Sequence, residues 1–350
     1  MEKYDIVIIG GGFCGVLCAK ILERKSNLSI ALFDRKPNFE FIPAIPKLVI
    51  NKEHSRKISI PFLRIFKKTK FFLDEVINVT KDTVQGKSKQ ISYKYLVICS
   101  GSDYPIELKN KKNVHTLKYV NEGLAINKDV HKNDNVLIIG GGLAGTEIAA
   151  EIATRTNKRV TLIHSKNRLI ERNPEKASNY AYNFLVNKGV VIKFNERVTE
   201  HMEDYFKTGN GNKYFYKMAV WCAGVSFKIP FLDKNDFPHC KDKEGHLIDS
   251  EYLFVKPHKN IFAGGDVANT KEEKTAQNAD RHAKLIANNI ICLEKGKELK
   301  KYKPRTGPLV ISLGPWNGLL VAGNFVISGL IPGIMKHLIE MAVMFRIKNL

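Results

Sequence analysis

Negative charge is scarce in this chain: 35 Asp and Glu stand against 56 Lys and Arg, leaving +21 over 350 residues. An excess of that size favours an anionic partner surface, phospholipid or nucleic acid, or serves solubility. No nucleic-acid motif accompanies it, so nucleic acid is not the expected partner. The six cysteines include no C-x-x-C pair and no finger-like Cys/His spacing, which excludes zinc modules and a disulfide scaffold and fits a reducing compartment. No basic, then apolar leader precedes "YDIVIIG", so a cytoplasmic location is expected. Glu2 stands where N-myristoylation needs Gly. Disorder is excluded by 44% hydrophobic against 26% charged residues.

What is present, twice, is one pattern. "YDIVIIGGGFCGVLCA" (4–19) is echoed by "DNVLIIGGGLAGTEIA" (134–149), each an apolar run entering G-x-G-x-x-G and then a helical pattern. Nineteen residues after the last glycine a second apolar run ends, at Asp34 in one copy and His164 in the other. "KYLVICSG" (94–101) and "KMAVWCAG" (217–224) follow in the same order. Apolar runs without strict alternation suit parallel strands buried on both faces. The fold class expected is therefore α/β, with two Rossmann-like dinucleotide-binding domains and a C-terminal segment.

The glycines have separate tasks in such a unit. Gly10 and Gly140 permit the tight turn, Gly12 and Gly142 let a pyrophosphate approach the backbone, and Gly15 and Gly145 allow helix and strand to pack closely. The following helix, opening at Phe13 and Cys14 or at Leu143 and Ala144, offers its N-terminal amides to phosphate. Asp34 is placed to accept hydrogen bonds from an adenosine ribose, or is a solvated strand-end carboxylate. His164 carries no negative charge there, so NADH and NADPH are not distinguished. Cys14 and Cys18 have Ala144 and Ile148 as their counterparts and read as helix packing rather than a reactive pair.

These duplicated motifs resemble the two-dinucleotide-binding flavoprotein oxidoreductases across nearly the whole chain. The resemblance implies FAD in the first site, with Arg35, Pro43, Lys47, Ser100, Gly101, Gly265 and Asp266 joining the first loop and Asp34. It implies NAD(P)H in the second, with Glu147, His164 and Gly224. It also implies an FAD-binding part at 1–110, an NAD(P)H-binding domain at 111–240, a second FAD-binding part at 241–305 and a C-terminal quinone- or membrane-facing segment at 306–350. The disulfide-reductase branch has a C-x-x-x-x-C pair where this chain reads "NFEFIPAIPKLV" (38–49), without cysteine. "VTLIHS", "LVNKGVVIKFNERV" and "TAQNADRHA" look most like the type II NADH dehydrogenases and the ferroptosis suppressor branch, which are NAD(P)H:quinone oxidoreductases. In the last motif Gln277 matches the dehydrogenase pattern A-Q-x-x-x-Q, Arg281 replaces its second glutamine, and His282 is similar to a histidine of the suppressor branch. Glu147, Gln277 and His282 are thereby implied at the reacting centre, with a quinone or another small acceptor as partner. For Glu147 a plain first-turn glutamate in the helix dipole is an equal alternative. The rival readings are a sulfide:quinone or ferredoxin-type reductase, a redox-sensing or nucleic-acid-binding flavoprotein, and a non-catalytic scaffold.

Residues 295–305 carry six basic side chains against Glu298, and 306–335 carry no charge. Thirty uncharged residues are enough to span a bilayer, but Pro315, Asn317, Gly318, Gly323, Asn324, Gly329, Pro332 and Gly333 favour short strands and turns. Beyond them, helical spacing gathers Ile334, Leu338, Met341, Ala342 and Phe345 on one face and Lys336, His337, Glu340 and Lys348 on the other. Such a helix lies in a membrane interface with its basic side chains toward anionic lipid, or packs on its own domain or a dimer mate. The expectation adopted is peripheral attachment to the cytoplasmic face of a membrane.

Overall fold

The computed structural model describes residues 1–104, 111–227, 229–247 and 251–349. The first apolar run forms β1 (Glu2–Ile9), followed by α1 (Phe13–Lys25) and β2 (Ile30–Asp34). Beyond them come β3 (Lys70–Leu73), the meander β4 (Val76–Val79) and β5 (Thr83–Gly86), and the long β6 (Gln90–Ile98). The sheet runs β3-β2-β1-β6-β5-β4, with β3, β2, β1 and β6 parallel. Ile6 and Ile8 enter one apolar cluster and Val7 and Ile9 another, so β1 is buried on both faces, which is why its sequence does not alternate.

The second copy builds its own sheet from β7 (Val114–Thr116), β8 (Asn135–Ile139), β9 (Arg159–Ile163), β10 (Val191–Lys193) and β11 (Ala219–Trp221). All five strands are parallel, in the order β10-β9-β8-β11-β7. Helix α2 (Val120–Lys132) precedes β8, α3 (Leu143–Arg155) follows it, and α4 (Glu175–Asn187) leads to β10. The chain then returns to the first sheet, where β12 (Ile261–Ala263) lies parallel to β6. Ile229, Phe231, Leu232, Phe237 and Cys240 already pack against that sheet, ahead of the return expected at 241. The boundary expected at 110 lies outside the described residues. Helix α5 (Ala276–Glu294), capped at Thr275 by a hydrogen bond from the Asn278 amide, packs on α1.

The uncharged stretch forms an antiparallel sheet, β13 (Leu309–Ser312), β14 (Gly318–Ala322) and β15 (Phe325–Gly329). Helix α6 (Leu330–Asn349) packs against it. Among the described residues no helix is long and apolar enough to cross a membrane.

Helix α6 turns its polar face inward and leaves its apolar face outward. Pro332, Lys336, Glu340 and Ile347 face the body of the protein, while Leu338 and Phe345 are 58% and 71% exposed, beside exposed Leu330, Ile331, Ile334 and Met341. Lys336 and His337 therefore do not point toward lipid, as the sequence reading had them. Of the basic residues placed on that face, Lys348 stays exposed. The reason is electrostatic: buried partners await the polar face. Lys47 donates to Glu340 Oε2 at 2.7 Å, His54 Nε2 lies 2.8 Å from Glu340 Oε1, and His337 Nε2 bonds the Pro315 carbonyl at 2.8 Å.

A candidate dinucleotide cleft

One cleft of about 1860 Å³ runs along the carboxyl edges of both parallel sheets. This edge is where open α/β sheets bind ligands. The glycines divide their work in both copies as their spacing implies. Gly10 and Gly140 hold φ values of +99° and +108°. A Cβ on Gly15 would stand 1.9 Å from the Gly10 carbonyl oxygen, and one on Gly145 would stand 1.8 Å from that of Gly140. A Cβ on Gly12 or Gly142 would meet no atom within 4 Å, so their backbones face open space. Two cradles of this shape fit two dinucleotide pyrophosphates.

Around the first cradle, Phe13, Cys14, Asp34, Arg35, Pro43, Ser100, Gly101, Gly265 and Asp266 all line the cleft. Asp34 also braces the loop, since Oδ2 accepts from the Gly11 amide at 2.6 Å and Oδ1 from the Lys36 amide at 2.8 Å. Arg35 lies 3.7 Å from Asp103. Asp266 accepts from Ser102 Oγ at 2.8 Å and has Lys118 Nζ at 3.4 Å. The neighbours Ser102 and Lys118 carry no motif and were not legible from spacing. Burial pushes the Cys14 and Cys18 thiols well up, as packing residues require.

Two residues expected in this region lie elsewhere. Lys47 does not line the cleft, because Glu340 and His337 of α6 hold its ammonium. His282 is 1% exposed and sits behind the loop. Its Nδ1 accepts from the Gly265 amide at 3.0 Å and its Nε2 faces Glu272 Oε1 at 2.8 Å. The ring is bonded at both nitrogens, lies against the Gly265–Asp266 turn and does not line the cleft.

Around the second cradle, Leu143, Ala144, Glu147, His164 and Gly224 line the cleft. Burial lowers the pKa of His164, and its Nε2 lies 3.3 Å from Glu171 Oε2. Glu171 thus supplies a carboxylate where the strand end has none, from a loop position that no spacing rule identifies. Glu147 is the fifth residue of α3, past the first turn, and its carboxylate is engaged away from the helix end. Its Oε1 accepts from the Ser312 amide at 2.9 Å and from Lys336 Nζ at 3.0 Å, and Lys336 also donates to the Val310 carbonyl at 3.1 Å. Lys336 lines the same cleft beside Leu309, Ile311, Val321, Ile339 and Val343. Gln277 lines it too, with Nε2 donating to the Pro308 carbonyl at 3.1 Å.

The model of the pyridine nucleotide-disulphide oxidoreductases matches residues 4–283. Apoptosis-inducing factor homolog A of Dictyostelium discoideum is 27% identical, over 96% of this chain and 89% of its own. Ferroptosis suppressor protein 1 of Mus musculus is 28% identical, over 95% and 92%. Among solved structures, the sulfide:quinone oxidoreductase of Aquifex aeolicus superposes with a TM-score of 0.84 at 19% identity, over 100% of this chain and 92% of that one. NDH2 of Plasmodium falciparum, solved in complex with NADH, gives 0.83 at 15%, over 99% and 97%. At those identities the structures speak for the fold alone, which they share with this chain from end to end.

Proposed function

The chain belongs to the pyridine nucleotide-disulphide oxidoreductase family, and from that premise we propose that it is a peripheral membrane flavoenzyme passing two electrons from NAD(P)H through FAD to a quinone. The observation that carries the reading is continuity: two pyrophosphate cradles open into one cleft, which extends to an apolar lobe beneath α6. FAD, when bound, supplies a two-electron carrier between nicotinamide and acceptor.

The chain's own residues then divide the work. The loop at Gly10–Gly15, Asp34, Ser100, Gly101, Gly265 and Asp266 would hold the flavin nucleotide, and Gly140–Gly145, His164 and Glu171 the nicotinamide nucleotide. Lys118 beside Asp266 offsets negative charge at the flavin end. Leu309, Val310, Ile311, Val321, Ile339 and Val343 offer an apolar slot for a quinone ring and exclude water. Lys336, steadied by Glu147, is the ammonium at that slot and can give a proton to a developing oxyanion. The outward apolar face of α6, with Trp316 and Leu63 also exposed nearby, would seat the enzyme where a lipophilic quinone resides.

Sulfide chemistry fits less well. It needs accessible thiolates, whereas all six cysteines are free and buried or half-buried, and burial pushes the Cys222 thiol at the cleft up to about 12. The test is optical. Purified flavin-loaded protein should bleach anaerobically on NADH or NADPH and recover its colour with a short-chain benzoquinone. A flavin that neither nucleotide bleaches rejects the reading, and bleaching by sulfide redirects it.

A further inference from the structure

NADPH differs from NADH only by a phosphate on the 2′-oxygen of its adenosine ribose. A site for NADH needs an acceptor for the free hydroxyl, and a site for NADPH needs a cation for the phosphate. The two cradles place corresponding groups twice, so the second can be compared with the first.

At the first cradle the acceptor is Asp34, whose Oδ2 would lie 3.1 Å from a Cβ on Gly11. At the second, His164 takes that place, and a Cβ on Gly141 would lie 2.9 Å from its Cγ. The imidazole side chain is 7% exposed, and its Nε2 stands 3.3 Å from Glu171 Oε2. A carboxylate therefore returns to the rim beyond the His164 ring, and Glu171 lines the cleft. Its loop is tied down on both sides. The Ile170 amide donates to the Gly141 carbonyl at 2.8 Å. Arg168 donates to the Asn173 carbonyl at 2.8 Å, to Ser178 Oγ at 2.7 Å and to the Glu171 carbonyl. Ile170 has a φ of +43°, a left-handed conformation that a β-branched residue keeps only where its surroundings impose it. Strain next to Glu171 and against the glycine loop fits a side chain held ready for a ligand.

The cations near this rim are placed differently. Arg168 is the first arginine after β9, and its guanidinium is taken up by the loop itself. Arg172 reaches Glu273 at 3.6 Å, with the two side chains 74% and 51% exposed. Lys166 is exposed and does not line the cleft. Arg197 does line it, next to Glu196, whose carboxylate accepts from Thr208 Oγ1 and Asn212 Nδ2. Glu171 and Glu196 thus stand against Arg172 and Arg197, which leaves no net positive charge for a phosphate dianion.

Resting on the assignment of NAD(P)H to the second cradle, we propose that Glu171 selects NADH over NADPH. Its carboxylate accepts a hydrogen bond from the ribose 2′-hydroxyl and repels a 2′-phosphate, and His164 positions it at the rim. Burial lowers the pKa of His164, so at neutral pH the imidazole adds no cation that would relieve the repulsion.

The experiment compares flavin-loaded wild type, Glu171→Gln and Arg197→Gln by the rate of anaerobic bleaching at low NADH and at low NADPH. The wild type should favour NADH roughly tenfold or more. In Glu171→Gln that ratio should fall toward one, with NADPH gaining in absolute rate. A substitution that merely loosened the loop would slow both nucleotides alike, so the gain for NADPH is the discriminating readout. Arg197→Gln should keep the preference for NADH. Equal use of the two nucleotides by the wild type, a preference for NADPH that Arg197→Gln removes, or an unchanged ratio in folded Glu171→Gln overturns the proposal. Failure of both nucleotides to bleach the wild-type flavin rejects the reductase reading instead. Calorimetry of the flavin-loaded protein with adenosine 5′-monophosphate and adenosine 2′,5′-bisphosphate then still decides the role of Glu171. The wild type should bind the monophosphate more tightly and Glu171→Gln should bind the two alike, whereas equal binding by the wild type overturns the proposal.

Discussion

Gly15 and Gly145 show how much one hydrogen atom decides. Each sits in α-helical backbone where any residue fits by dihedral angle, but a Cβ would collide with the carbonyl of its own turn glycine. Gly15→Ala should therefore yield protein that folds poorly or lacks flavin colour. Gly145→Ala should keep the colour and lose bleaching by NADH at any practical concentration. Visible spectra of the two variants, before and after NADH, separate the sites. The glycines and Asp34 were legible because their duties are local to one turn, and local duties impose fixed spacing. Lys47, His282 and Glu171 were not. Each takes its role from a partner far along the chain or in a loop of free length: Lys47 from Glu340, His282 from Glu272 across an irregular turn, Glu171 from its approach to His164. Sequence spacing has no means of expressing such pairs.

At the scale of elements, the parallel strands were readable from uniform apolarity, and the C-terminal meander from its Gly and Pro. Helix α6 was readable as amphipathic but not in its orientation, since periodicity identifies two faces without saying which one the body of the protein will accept. The polar face goes inward because Glu147, Lys47 and His54 are already there to pair it. Glu340 carries much of that attachment. Burial alone would raise its pKa, but hydrogen bonds from His54 and Lys47 hold it near 2, against an ordinary 4.5. A carboxylate depressed in this way contributes stability above about pH 4.5 that is lost as pH falls toward 2, about 3 kcal/mol in full. Glu340→Gln should reproduce the acid state at pH 7, leaving Lys47 buried without its counter-charge. Hydrogen exchange should then show α6 opening at neutral pH in the variant, and in the wild type only under acid.

The molecule as a whole carries two features that bear on the proposed bilayer contact, a strong positive charge and one apolar helix face. They act over different ranges. Charge acts across a Debye length of about 8 Å at physiological salt and is screened as salt rises, whereas apolar burial is not. Co-sedimentation with anionic vesicles should therefore weaken between low and high salt but retain a salt-resistant fraction. Leu338→Glu with Phe345→Glu should remove that fraction while leaving the melting temperature unchanged, because both side chains already stand in water. Equal binding by the double variant at high salt would show that α6 is not the docking face.

The hydrogen bonds to Glu147 have a thermodynamic corollary. One carboxylate is shared between a wall of the cleft and α6, the helix whose outer face is apolar. Two binding events that draw on a common group are linked, and linkage is reciprocal. Whatever factor a lipid surface imposes on nucleotide affinity through Lys336, the nucleotide must impose on lipid affinity in return. If α6 docks on lipid as proposed, occupancy by reductant would then help to set how long the chain stays there.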